Sequence, residues 1–262
     1  MVTIEEQVKK IKKEKRLGLM THVIVGYPSL RKTIRLVKLM AAEGADFIEL
    51  QIPFSDPLAD GPTIMKACEE ALAHGTKVRD AFVAMETLSS QVAIPLLFMG
   101  YYNTVFRYGV EKFCKDAKKA GAAGLIIPDM PLEEEEEEHF LQFAKKYNLP
   151  VIRVVSPAST VSRLQKNAKY AEGFVYCSAR QGITGVRKDL DPHLAAYLKI
   201  VKKYIKQPLA VGFGISSPKH IKALKPHAEI AVVGSALVKI TQECKGKERE
   251  QKVRTFVRSL ML

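Results

Sequence analysis

The sequence predicts an α/β protein, a (β/α)8 TIM barrel, from three observations. Short apolar runs rich in β-branched residues alternate with helical patterns along the whole chain, which is typical of βαβ units and a parallel sheet. The runs number eight, and eight such units in roughly 250 residues are the size of this barrel. Neither a Pro-, Gly- or Ser-rich linker nor a GxGxxG motif occurs, so we expect one barrel domain over 1–262 rather than an open dinucleotide-binding sheet.

The strands and helices follow from this alternation. Strands are predicted at 19–25, 47–52, 96–101, 124–128, 151–156, 174–179, 209–213 and 230–234. Helices between them are predicted at 30–42, 111–119, 133–147, 192–204 and 218–224. The six glutamates at 133–138 are interpreted as the solvated opening of the third of these helices, where the macrodipole favours anions.

An extra helix is predicted before the first strand, over residues 3–15. Thr3 and Glu6 have the spacing of a capping box. The apolar stripe of this helix consists of Ile4, Val8 and Ile11. We expect the stripe to plug the bottom of the barrel.

The interval between the second and third strands, residues 53–95, is longer than one connection requires. It is predicted to hold an extended loop and two helices, at 63–73 and 78–90. Long loops at the top of a barrel tend to be functional.

Composition excludes several classes of protein. The chain is 47% hydrophobic and 26% charged, which excludes wholesale disorder, and no apolar run approaches the roughly 18 residues of a membrane span. No signal-peptide pattern is visible, and the four cysteines form no CxxC, so we expect a cytoplasmic protein with reduced thiols. The six histidines show no HxH or HExxH spacing, so no metal site is predicted.

The second strand carries an unusual carboxylate. Period-2 alternation turns Phe47, Glu49 and Gln51 toward the barrel interior. A carboxylate is costly there unless it is paired or used, and burial would suit it to proton transfer near neutral pH. Catalysis by Glu49 and pairing of Glu49 with an inward Lys or Arg are both open from these residues alone.

The loop after this strand, residues 53–62, adds the carboxylates Asp56 and Asp60 in a Pro-rich segment. On spacing alone, Asp60 before Gly61-Pro62 is better explained by turn or helix-cap chemistry than by catalysis. Tyr101, at the end of the third strand, is equally consistent with lining a pocket and with packing at the core rim.

The last three strands end in glycine-rich turns, with Gly182, Thr184 and Gly185 after the sixth, Gly212 and Gly214 at the seventh, and Gly234-Ser235 at the eighth. Backbone N–H groups and helix N-termini at such ends are where barrels hold phosphate. The three turns in this order predict a phosphate site.

Together these segments resemble the tryptophan synthase alpha chain family over about residues 15 to 245. The specific part is Glu49 followed by Pro53-Phe54-Ser55-Asp56-Pro57-Leu58-Ala59-Asp60-Gly61-Pro62. The similarity continues through Tyr101-Tyr102-Asn103, Phe106-Arg107-Tyr108-Gly109, Asp129-Met130-Pro131, Gly182-Ile183-Thr184-Gly185, Gly212-Phe213-Gly214-Ile215-Ser216 and Gly234-Ser235-Ala236. The glycine motifs are shared with other phosphate-binding barrels.

The resemblance implies a lyase that cleaves indole-3-glycerol phosphate into indole and glyceraldehyde 3-phosphate without a cofactor of its own. It also implies a partner beta chain that holds pyridoxal phosphate, in an alpha2-beta2 heterotetramer. A phosphate-sugar epimerase or isomerase is disfavoured, because such barrels generally lack the 53–62 loop. The alternative is an alpha-like subunit of weak activity that mainly activates its beta partner.

The resemblance also assigns roles to residues. It implies Glu49 as general acid/base and Asp60 as the carboxylate that stabilises the indole N–H. The implied substrate-binding residues are Tyr101, Ile126, Tyr176, Thr184, Gly185, Phe213, Gly214, Gly234 and Ser235. The residues implied to face the beta chain are Asp56, Pro57, Asn103, Phe106 and Pro131.

Three positions depart from the commonest family pattern. Gln51 replaces a frequent Gly, His22 replaces an apolar residue that often lines the site, and Thr104 replaces a frequent Pro in the interface loop. Gln51 is the departure that keeps the weakly active alternative open.

The net charge of +13 indicates mainly a solvated exterior. The basic residues concentrate in the flanking and outer helical segments, whereas the predicted phosphate site contains glycines and hydroxyls. No segment interleaves basic and aromatic residues as a nucleic-acid surface would, so neither nucleic acid nor membrane is a predicted partner.

Overall fold

Eight parallel strands close into a barrel in chain order in the computed structural model, which describes residues 2–178, 193–212 and 214–261. The strands are β1 (Gly18–Ile24), β2 (Phe47–Gln51), β3 (Leu96–Met99), β4 (Gly124–Ile126), β5 (Val151–Val155), β6 (Val175–Ser178), β7 (Leu209–Gly212) and β8 (Ile230–Val233). Each strand pairs with the next and β8 pairs with β1, so the predicted (β/α)8 TIM barrel is confirmed.

Helices surround this barrel. Those in the described ranges are α1 (Ile4–Lys13), α2 (Leu30–Ala42), α3 (Pro62–Ala73), α4 (Val78–Ser89), α5 (Tyr102–Tyr108), α6 (Val110–Ala120), α7 (Glu135–Glu138), α8 (Phe140–Lys146), α9 (Val161–Lys169), α10 (Leu194–Tyr204), α11 (Pro218–Leu224), α12 (Ser235–Glu243) and α13 (Gly246–Leu260), with a short 3-10 helix at Leu132–Glu134. The helix predicted before β1 and the two predicted in the long interval after β2 are all present as α1, α3 and α4.

The prediction of one helix over 133–147 is wrong. His139 separates α7 from α8 with a φ of +53°, a left-handed conformation that ends the first helix. The Glu135 carboxylate accepts hydrogen bonds from the backbone N–H groups of Leu141 and Gln142, at 2.8 and 3.0 Å. An acidic side chain therefore caps the second helix from outside it, where the positive helix end favours an anion.

Most of the buried apolar residues form two layers, one inside the barrel and one between the barrel and its helices, and a smaller third cluster joins β1, α3 and α12. On β2, Phe47 belongs to the inner layer, whereas Ile48 and Leu50 pack against the helices. The inner layer also contains Met20, Leu97, Ile126, Ile152, Phe174 and Ile230. The predicted alternation of β2 is thereby confirmed, and it turns Glu49 and Gln51 inward.

Helix α1 closes the bottom of the barrel, as its apolar stripe predicts. Its buried residues Ile4, Val8 and Ile11 share one cluster with the inner barrel residues. Glycines make room for this plug: a Cβ atom on Gly18 would lie 2.6 Å from Ile11 Cδ1, and one on Gly173 would lie 2.8 Å from Ile4 Cγ2.

Replacing Gly173 with Ala is expected to destabilise the protein through this plug. Gly173 has a φ of +63°, so a side chain is strained there even before its Cβ meets Ile4. Gly75 is the matched control, since its φ is +81° but no atom lies within 4 Å of an added Cβ. We expect G173A to lower the free energy of unfolding by about 1–3 kcal/mol more than G75A does in urea denaturation. Equal losses in the two variants would show that the plug contact has no energetic role.

Candidate active site

Glu49 is the centre of a buried polar cluster at the inner face of β1 and β2. Its side chain lies among inner barrel positions and the residue is 3% exposed. An ionised carboxylate at such a depth is costly without a partner. The structure supplies one from the neighbouring strand.

That partner is His22. The parallel register of β1 and β2 places His22 opposite Glu49, and His22 Nδ1 lies 3.3 Å from Glu49 Oε1. Of the two alternatives that the sequence leaves open, pairing is present, but the paired residue is a histidine rather than a Lys or Arg. Its other ring nitrogen, Nε2, is buried and has no hydrogen-bond partner among the described residues.

The environment of His22 favours its protonated form. Burial acts to lower the pKa of the imidazole, but the hydrogen bond with Glu49 and the charges of Glu49 and Asp60 outweigh it and raise the pKa above its usual value. The imidazole therefore holds a proton next to Glu49 at a higher pH than a free imidazole would.

Gln51 and Tyr101 hold the second carboxylate. Gln51 Nε2 donates to Asp60 Oδ2 at 2.7 Å, and the Tyr101 hydroxyl donates to the same oxygen at 2.9 Å. Both donors end on Oδ2, and none of the described hydrogen bonds ends on Oδ1. Asp60 is 3% exposed, so its Oδ1 is an unused acceptor within a buried cluster.

Burial governs the acidity of Asp60. Desolvation raises the pKa of its carboxyl above the usual value, although the charge of His22 and the hydrogen bonds from Gln51 and Tyr101 act in the opposite direction. The charge of Glu49 adds to the rise, which shows that the two carboxylates influence one another electrostatically.

Tyr101 also anchors the loop that carries Asp60. Its hydroxyl accepts a hydrogen bond from the backbone N–H of Ala59 at 3.1 Å, and its ring stacks on Phe54 with centroids 5.4 Å apart. The hydroxyl of Tyr101 thus donates to Asp60 and accepts from the preceding residue of the loop. Asp60 does close a turn with its backbone, since its N–H donates to the Pro57 oxygen at 2.9 Å, as spacing alone favours. Its side chain, however, does not cap α3 and instead accepts from Gln51 and Tyr101.

The predicted apolar walls are present in part. Ile126 is buried in the inner barrel layer, and Tyr176 packs against it as a partly buried member. A Cβ atom on Gly212 would lie 2.2 Å from the Tyr176 hydroxyl oxygen, so glycine at this position leaves room for the ring. Phe213 lies outside the described residues.

Some of the residues predicted to bind phosphate also lie within the described residues. Gly214 has a φ of +93° and precedes α11, and Gly234 immediately precedes Ser235, the first residue of α12. The first N–H groups of a helix have no partner within it, so the start of α12 offers donors to an anion. Thr184 and Gly185 lie outside the described residues.

The residues predicted to face a partner lie on the 53–62 loop, on α5 and on the segment after β4. Asp56, Asn103 and Phe106 are exposed, Pro131 is half-buried and Pro57 is buried. The sequence did not single out Leu58, which is 85% exposed beside Pro57. The sequence of the loop does not distinguish Leu58 from its apolar neighbours Phe54 and Ala59, which pack against the inner barrel layer, because the fold decides which of them is exposed.

Protonation of His22 is expected to make stability depend on pH. Because the folded-state pKa of His22 is raised, its contribution is fully present below the unfolded pKa of about 6.5 and is lost as the pH rises through the folded value. The wild-type free energy of unfolding should therefore fall, relative to that of H22Q, as the pH rises above about 6.5. Denaturant titrations of both proteins between pH 5.5 and 9 measure the difference, and parallel pH curves would contradict the assignment.

Residues 2–178, 193–212 and 214–261 contain no group of three or more His, Cys, Asp or Glu side chains that is placed to hold a metal ion. None of the helices described in these ranges has the length and apolar character needed to cross a membrane.

Comparison with known proteins places this geometry in one family. The family model described as "Tryptophan synthase alpha chain" matches residues 8–260. The tryptophan synthase alpha chain of Desulfotalea psychrophila is 43% identical over 242 residues, which cover 92% of this chain and 94% of that one. The alpha chain of Thermoanaerobacter sp. strain X514 is 40% identical over 261 residues, with 99% and 98% coverage.

Solved structures agree with these relatives. A structure of Mycobacterium tuberculosis tryptophan synthase superimposes with a TM-score of 0.90 at 31% identity, and the match covers 99% of this chain and 97% of that chain. A mutant tryptophan synthase alpha subunit from Pyrococcus furiosus gives a TM-score of 0.85 at 32% identity, with 93% and 97% coverage.

Proposed function

This chain belongs to the tryptophan synthase alpha chain family, and we propose that its buried Glu49 and Asp60 carry out the reaction of that family. The chain is a lyase that cleaves indole-3-glycerol phosphate to indole and glyceraldehyde 3-phosphate. The family needs no cofactor for this step, and pyridoxal phosphate resides in the beta chain. The observation that carries the proposed roles is the buried cluster in which His22 adjoins Glu49 while Gln51 and Tyr101 hold Asp60.

Glu49 moves the protons that carbon–carbon cleavage requires. A retro-aldol step adds a proton to indole carbon 3 and removes the proton of the glycerol hydroxyl on the carbon that is released as the aldehyde. A carboxyl held in a largely desolvated position is suited to both transfers. His22, whose Nδ1 lies 3.3 Å from Glu49 Oε1, is the positioning residue that holds the Glu49 carboxyl.

Asp60 stabilises the charge that this protonation creates. A proton on carbon 3 places positive charge on the indole nitrogen, and an anionic hydrogen-bond acceptor for its N–H stabilises that charge. Oδ2 of Asp60 is occupied by Gln51 and Tyr101, so Oδ1 is the atom that meets the indole N–H. In this arrangement Gln51 orients Asp60, and its presence in place of a glycine is compatible with catalysis.

The substrate is held at its two ends. Ile126, Tyr176 and Phe213 enclose the indole ring, beside Tyr101. Backbone N–H groups and hydroxyls of Thr184, Gly185, Gly214, Gly234 and Ser235 bind the phosphate, helped by the positive end of α12. This division places the carbon–carbon bond between an apolar half and an anion-binding half of the pocket.

The partner is a tryptophan synthase beta chain in an alpha2-beta2 heterotetramer that works in the cytoplasm. Asp56, Pro57, Asn103, Phe106 and Pro131 face the beta chain. The exposed side chains of Leu58, on the 53–62 loop, and Phe106, on α5, support this surface, because large apolar side chains left in water are typical of an interface.

A direct assay of indole release tests the proposal. We expect the purified chain to release indole from indole-3-glycerol phosphate by itself and faster when a beta chain is added. Mass spectrometry should find one glyceraldehyde 3-phosphate for each indole. Stimulation of beta-chain activity without any indole release from the substrate would instead support the weakly active alternative.

A further inference from the structure

A second polar pocket lies on the helix side of the barrel, away from the cluster around Glu49. Its volume is about 310 Å³, and it is lined by the segment after β4 (residues 128–133), by β5 and by α9. Ile152 and its neighbour Val154 belong to the inner barrel layer, whereas Arg153 between them points outward into this pocket. The wall of the barrel therefore separates the pocket from the catalytic cluster.

Arg153 is a buried cation that has no counter-ion among the described residues. It is 6% exposed, and its guanidinium donates to Asn167 Oδ1 at 2.9 Å and to the backbone oxygen of Met130 at 3.4 Å. Both acceptors are neutral, and no carboxylate of the described residues lies within 4.0 Å of it. Burial lowers the pKa of Arg153 to about 10, partly opposed by the charges of Glu135 and Glu133, so the group stays ionised at neutral pH.

A buried charge that lacks a partner is costly, and a bound anion would remove the cost. The described hydrogen bonds use two of the five N–H groups of the guanidinium, whose planar fork matches two oxygens of a carboxylate or phosphate. The same pocket contains the hydroxyls of Ser156 and Ser159, which accept backbone N–H bonds and keep their own hydrogens for donation.

Two more cations stand at the mouth of the pocket. Arg163 and Lys166 of α9 lie 3.6 and 3.7 Å from the half-exposed carboxylate of Glu133, which is longer than a hydrogen bond. Glu133 is thus a weak internal counter-ion for the outer cations and does not reach Arg153. The other carboxylate of the pocket, Asp129, already accepts the backbone N–H of Tyr102 at 2.8 and 3.0 Å.

We propose that this pocket binds a small oxyanion, with Arg153 as its buried anchor and Arg163 and Lys166 closing over it. The ligand class is a phosphate or carboxylate group small enough for the pocket. This site is separate from the substrate phosphate site, so the chain binds two oxyanions. The proposal does not depend on the roles given to Glu49 and Asp60.

Titration calorimetry with inorganic phosphate, at constant ionic strength in chloride, tests the proposal on the full-length chain. We expect two phosphates for each wild-type chain and one for R153M. A parallel titration with acetate distinguishes a site that accepts any oxyanion from one that requires phosphate. Loss of one phosphate in folded R153M supports the proposal whether or not the substrate site also takes inorganic phosphate. Equal numbers of bound phosphates in the wild type and folded R153M would overturn it.

Two surface variants test the site without disturbing the buried arginine. Removing the competing carboxylate in E133Q should tighten the second phosphate by about 2–5-fold, and removing a cation in K166Q should weaken it by about 2–5-fold. We expect these opposite changes in phosphate affinity only if the anion binds beside Glu133 and Lys166. Unchanged second-site affinity in both variants contradicts the proposal even if R153M fails to fold.

Discussion

Replacing Glu49 with Gln is expected to abolish measurable indole release, with a loss in kcat of about 10²–10⁴-fold. The amide is nearly isosteric with the carboxyl, so it fits the same buried position between β1 and the substrate. It neither accepts nor delivers a proton during the cleavage, which is the property that the reaction uses. The measurement is the rate of indole formation from indole-3-glycerol phosphate under saturating substrate.

The control for this variant is E69Q, which makes the same chemical change at an exposed position of α3. It should leave the rate of indole formation unchanged, and both variants should keep the wild-type circular dichroism spectrum. Wild-type turnover in a folded E49Q protein would remove Glu49 from the proposed mechanism.

Replacing Asp60 with Asn is expected to lower kcat by about 10²-fold, because the variant loses the anion that stabilises the charged indole nitrogen. That charge exists only as carbon 3 is protonated, so KM should change much less than kcat. Gln51 and Tyr101 both donate to Oδ2 of the native side chain, and an amide still offers one oxygen to them. The fold should therefore be retained.

The pH profile supplies a second readout for Asp60. Burial raises the pKa of its carboxyl, so the active anion is lost as the pH falls through that raised value. Wild-type kcat should decline on the acidic side, and the decline that Asp60 causes should be missing in D60N. A variant with raised KM and unchanged kcat would instead assign Asp60 to substrate binding alone.

The architecture and the position of Glu49 were predictable because both depend on local periodicity. Alternation along β2 is enough to turn Glu49 and Gln51 inward, and the apolar stripe of α1 is enough to predict a plug. The break at His139 was not predictable from periodicity, because the capping contact of Glu135 reaches past the end of α7 to α8.

The partners of the carboxylates depend on the register between strands. His22 meets Glu49 only because β1 and β2 pair with these two residues side by side, and no spacing within either strand reveals this. Likewise, spacing alone indicates only a turn or cap role for Asp60, because the two donors to its Oδ2, Gln51 and Tyr101, come from β2 and from the segment that follows β3. Contacts between distant segments are set by tertiary packing, which a single sequence does not display.

The plug helix has a consequence for how the chain folds. Added Cβ atoms on Gly124 and Gly173 would lie 3.0 and 2.8 Å from the side chain of Ile4. The residues that surround Ile4 therefore come from segments far along the chain. Contacts of large sequence separation form slowly, since the loop between them must close first. We therefore expect helix α1 to dock late in folding, after β4 and the segment before β6 are in place. Until it docks, its apolar stripe of Ile4, Val8 and Ile11 stays exposed to water.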